Sequence, residues 1–113
     1  MPSNPNDGPL VTAARRLRFE GLLAIDASLA VRGRRDVDAF VDALNAMILL
    51  DVDAIAIARE AGVITSTVTR WAQGHNRPNV AMMDAGSAAM RRVISQELEA
   101  CAPMIRNGSL KAA

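Results

Sequence analysis

The stretch Asp53 to Pro78 constrains this chain more than any other. It reads as two short helices, about Asp53 to Ala61 and Thr65 to Gln73, with Gly62 between them and Gly74 ending the second. Two such helices must cross steeply over a tight turn. The first needs a small residue where the second packs on it, and Ala58 stands four positions before Gly62. The turn needs positive φ, which glycine adopts at least cost. Val63 is expected to plug the core. Val68 and Trp71 are three apart and turn inward, and Ile57 completes the seam.

The rest of the chain predicts helices around this pair. A stripe through Leu10, Ala14, Leu17, Gly21, Ile25 and Leu29 steps by three or four, and Arg32-Gly33 is a plausible stop. Asp36 is a candidate N-cap, with Asp38 in the first turn. Val37, Phe40, Leu44, Met47 and Ile48 form the next stripe, ending near Leu50 and Asp51. The last helix is expected from about Val80 to Ala102, with Met83, Ser87, Met90, Ile94, Leu98 and Cys101 inward. Pro103 is expected to stop or kink it. Abundant alanine, 50% apolar residues and only 3% aromatics favour helix over strand. The fold expected is all-α, about five helices with a central helix-turn-helix. It forms one domain over 10–106, between flexible tails at 1–9 and 107–113.

Charge distribution is more informative than the net value of +1. Asp36 to Glu60 holds the acids Asp36, Asp38, Asp42, Asp51, Asp53 and Glu60 against one base, Arg59. Between Glu60 and Asp84 the only ionisable side chains are Arg70, His75 and Arg77. The outer face of the second short helix offers Thr65, Ser66, Thr69, Arg70 and Gln73. These groups can reach base edges and phosphates, and no acid repels a phosphate there.

Gly62-Val63-Ile64-Thr65-Ser66-Thr67-Val68-Thr69-Arg70-Trp71, then Gln73-Gly74 and Arg77-Pro78, resembles the helix-turn-helix of Xre/Cro/C1-type repressors. Phage CII-type activators are similar at the Arg-Trp pair. The resemblance covers about Val37 to Met90 and is sharpest from Ala58 to Pro78. It implies a lambda-repressor-like fold and a regulator of transcription that binds double-stranded DNA. Thr65, Ser66, Thr69 and Arg70 would touch bases, and Gln73, Asn76 and Arg77 would lie near the backbone. Two departures stand out. Asp53-Ala54-Ile55 occupies the place where the family often has a phosphate-binding Gln. Ile64 replaces the usual small polar residue, so Thr65 is expected to take over the N-cap.

The terminal stripes exceed what a core of this size needs, which predicts a homodimer reading half-sites ~34 Å apart. The alternative is a protein-interaction module, an antitoxin or antiactivator, using the same fold to sequester a protein partner through its acids. An enzyme is not expected: there is no acid/base pair, phosphate loop, metal set or cofactor signature. Trp71 reads as core and His75 as loop surface. Cys101 reads as a buried apolar group, and the methionines as core filler. Most arginines read as solvated, with flanking phosphate contact the alternative for Arg32, Arg34 and Arg35. The single cysteine, the absence of a secretory leader and of an 18-residue apolar run suit a cytoplasmic protein with no membrane span.

Overall fold

A computed structural model describes residues 8–32 and 35–112, with side chains described over 8–32 and 35–100. Arg34 and the side chain of Cys101 therefore lie outside the described residues. All secondary structure among them is helical: α1 Pro9–Val31, α2 Val37–Leu49, α3 Ala54–Ala61, α4 Thr65–Ala72 and α5 Val80–Ala112. α1 and α2 form an antiparallel pair, α3 and α4 pack on each other, and α5 lies against α1, α2 and α3.

Local chemistry sets most of these boundaries. The Asp36 carboxylate accepts the Ala39 N–H at 3.1 Å, so α2 begins where an acceptor was expected. That bond, and after it the Arg32 guanidinium, holds the Asp36 carboxyl below its ordinary value. Asp53 accepts the Ile55 N–H at 2.9 Å, and Asn79 accepts the Met82 N–H at 2.8 Å. The C-termini use one device three times. Asp51, Gly62 and Gly74 take φ of 66°, 75° and 76°. The next N–H then bonds back five residues: Val52 to Met47, Val63 to Ala58, His75 to Arg70.

α4 starts differently. Its N-cap is Ile64, extended, 70% exposed and without a side-chain cap bond. Thr65 is already the first helical residue, so it does not take the capping role expected of it. A capping side chain must sit one residue earlier, where its backbone is still extended. Ile64→Ser supplies the missing acceptor and is expected to stabilise the fold by about 1 kcal/mol in urea unfolding. An unchanged midpoint would show that water already serves those amides equally well.

The core joins all five helices. Leu22, Ile25 and Leu29 meet Phe40, Leu44, Met47, Ile57, Val68, Trp71, Met90 and Ile94, all buried. The α1 stripe needs correcting. Leu10 and Leu17 are 84% and 67% exposed, while Leu22, outside the expected stripe, is fully buried. At 3.6 residues per turn the path from Leu10 to Leu29 drifts about 100° round the helix. Tertiary pairing selects the face beside it. The half-buried Arg18 donates to the Leu50 carbonyl at 2.8 Å and to the Glu97 carboxylate at 2.7 Å. Arg91 meets Asp26 at 3.0 Å. α5 also runs on through Pro103 to Ala112 instead of stopping there. A proline deletes one amide bond, and Ala100, Ala102, Met104 and Ile105 around it are compatible with continued helix.

Candidate nucleic-acid interface

α4 is seated by its apolar side. Val68 and Trp71 are buried, and the Trp71 ring meets Phe40 edge-on with centroids 5.7 Å apart and planes at 72°. The close approach of α5 depends on Gly86. A Cβ there would lie 2.7 Å from Phe40 Cζ and 3.6 Å from Trp71 Cζ3. From α2, the Asn45 amide donates to the Ala72 carbonyl at 2.9 Å and ties down the end of α4. Asn45 lies off the apolar stripe of α2, and a carbonyl partner 27 residues away leaves no trace in the sequence.

α3 is held against α5 in turn. Arg92 donates to the Glu60 carboxylate and to the Glu60 carbonyl, both at 2.8 Å. The same contact neutralises the acid nearest the turn. Val63 is half-buried against the core, and Ile57 and Ala58 are buried, as the seam requires.

With that side occupied, Ser66, Thr69, Arg70 and Gln73 are all exposed, and their spacing puts them on one face of α4 and its cap. Thr65 is half-buried at the edge of this face, and its carbonyl accepts the Thr69 hydroxyl at 3.2 Å. His75, Asn76 and Arg77 are exposed in the loop beyond, and Pro78 is buried. Ser66, Thr69, Arg70 and Gln73 are thus brought together, with Thr65 at the margin. Asn76 and Arg77 lie beyond the helix end.

Two sets of described arginines contrast. Arg18, Arg32, Arg91 and Arg92 each pair with a carboxylate: Glu97, Asp36, Asp26 and Glu60. Arg59, Arg70 and Arg77 form no ion pair with any described residue. The surface around α4 therefore presents cations whose charge is not internally matched. Arg32, a candidate for flanking contact, is committed to Asp36 at 2.8 Å; Arg35 is exposed. Asp53 is exposed at the start of α3, where its carboxylate is engaged as a cap.

No helix among the described residues is long and apolar enough to cross a membrane. No group of His, Cys, Asp and Glu among them could hold a metal ion. No protein-family model matches the chain, and no curated protein or solved structure shows significant similarity to it.

Proposed function

We propose that this chain is a sequence-specific DNA-binding regulator of transcription whose α4 enters the major groove. The observation carrying this reading is the acid-free exposed face of α4. Ser66, Thr69, Arg70 and Gln73 stand beside Asn76 and Arg77, with both arginines unmatched by carboxylates among the described residues. Thr65, Ser66, Thr69 and Arg70 read bases, with Thr65 reaching from the edge. Gln73, Asn76 and Arg77 fix the register on the phosphates.

The protein acts as a homodimer in the cytoplasm. Leu10, Leu17, Ala24 and Val31 recur every seven residues along α1 and are all exposed. Heptad spacing of this kind suits a helix partner. A two-fold pair of chains would read a palindromic operator and act by occupying it.

Selection of duplexes from a random pool, followed by mobility shift, tests the reading. Affinity should fall on the order of a thousandfold between roughly 50 and 200 mM salt if a dimer neutralises about six phosphates. Failure to bind any duplex at ~50 mM salt would reject the DNA reading. The same fold would then be an interaction module that sequesters a protein.

A further inference from the structure

We propose that Ile64 is a specificity residue that takes the 5-methyl group of a thymine. The inference rests on the DNA reading and deepens it by naming one base that α4 selects.

Three helix starts in this fold obey the usual chemistry: Asp36, Asp53 and Asn79 each accept a backbone N–H from their own helix, while Gly8 opens α1 with no side chain to offer. Ile64, at the start of α4, departs from it twice. It offers no acceptor to the first turn of α4, and it leaves a branched alkyl group 70% exposed. Its neighbour Val63 is the turn residue that packs on the core, so the fold does not need Ile64 for burial. A branched apolar side chain, exposed where three other helix starts place an acceptor, is the kind of local departure that marks functional positions.

The position decides what the alkyl group can meet. A recognition helix contacts base edges with its N-terminal residues, so the residue just before Thr65 lies among the deepest. Nearly every group in the major groove is a hydrogen-bond donor or acceptor. The 5-methyl of thymine is the apolar one. Ile64 can bury that methyl and offers nothing to the cytosine amino group. Ser66 and Arg70, on the outer face of the same helix, supply the polar contacts that fix the approach.

The test uses the full chain and a duplex enriched from the random pool. Each thymine is replaced in turn by deoxyuridine, which removes only the methyl. At one position of the half-site the wild type should bind about fourfold more weakly, the worth of one buried methyl. Ile64→Ser should bind thymine and deoxyuridine duplexes equally there, while its Tm rises by about 4 °C. Ile64→Ala should lose the discrimination as well, without the added cap. A merely structural role would move Tm and leave the deoxyuridine response intact. Neutral deoxyuridine at every position, or discrimination surviving in both variants, overturns the proposal while leaving DNA binding in place. An empty selection overturns the DNA reading and this inference together.

Discussion

Phe40→Ala is expected to destabilise the protein by about 3–5 kcal/mol, and to reverse the sign of a second substitution made beside it. In the wild type, Gly86→Ala would put a Cβ 2.7 Å from Phe40 Cζ and 2.8 Å from Cε1. The ring is fully buried between α5 and Trp71 and cannot swing outward. Overpacking of this kind costs ~1–3 kcal/mol, against which alanine recovers about 1 kcal/mol of helix propensity. With Phe40 removed, the clash is gone and the propensity remains. Gly86→Ala should then stabilise the Phe40→Ala background by roughly 1 kcal/mol. A double-mutant cycle in urea measures this directly. Equal effects of Gly86→Ala in both backgrounds would mean that the ring is not what sets the α2–α5 spacing.

The second large effect concerns binding. Arg70→Ala is expected to cost ~1–3 kcal/mol on the selected operator, about five- to 150-fold, and to relax preference at one base pair. Arg70 is exposed, on a helix turned outward by Val68 and Trp71, and no described carboxylate competes for it. Arg77→Ala should instead weaken all duplexes alike and lower the salt slope by about one. Competition binding against single-base operator variants separates the two outcomes. If Arg70→Ala folds normally and leaves operator affinity untouched, Arg70 reads no base.

Much of the architecture is legible in the sequence because the signals are local. Asp36, Gly62 and Gly74 mark helix ends by a side-chain acceptor or positive φ, and all act where expected. The seam of Ile57, Ala58, Val68 and Trp71 follows from spacing alone. The failures are mostly non-local. The inward side of α1 is settled by Arg18 reaching Glu97 across 79 residues, and by Gly21 approaching Leu50. Composition cannot tell one apolar side of α1 from the other when alanines populate both. Thr65 failed as a cap because capping depends on a single residue's backbone angle. Of the candidate face, the residue types and their spacing were readable. The Asn45 tie, the Arg92 clamp on Glu60 and the exposure of Ile64 at the N-cap appear only once the helices are assembled.

The order of helices has a consequence for synthesis. α5 supplies Met83, Ala89, Met90, Val93 and Ile94 to the core, and every earlier helix except α4 shares an extended contact with it. A ribosome delivers α1 to α4 first, with Leu22, Phe40, Ile57 and Trp71 still lacking that cover. α1 to α4 therefore leave the exit tunnel before the helix that covers their apolar faces has formed. Emergence of α5 closes the core, so the interval open to chaperone capture lasts until that helix is available.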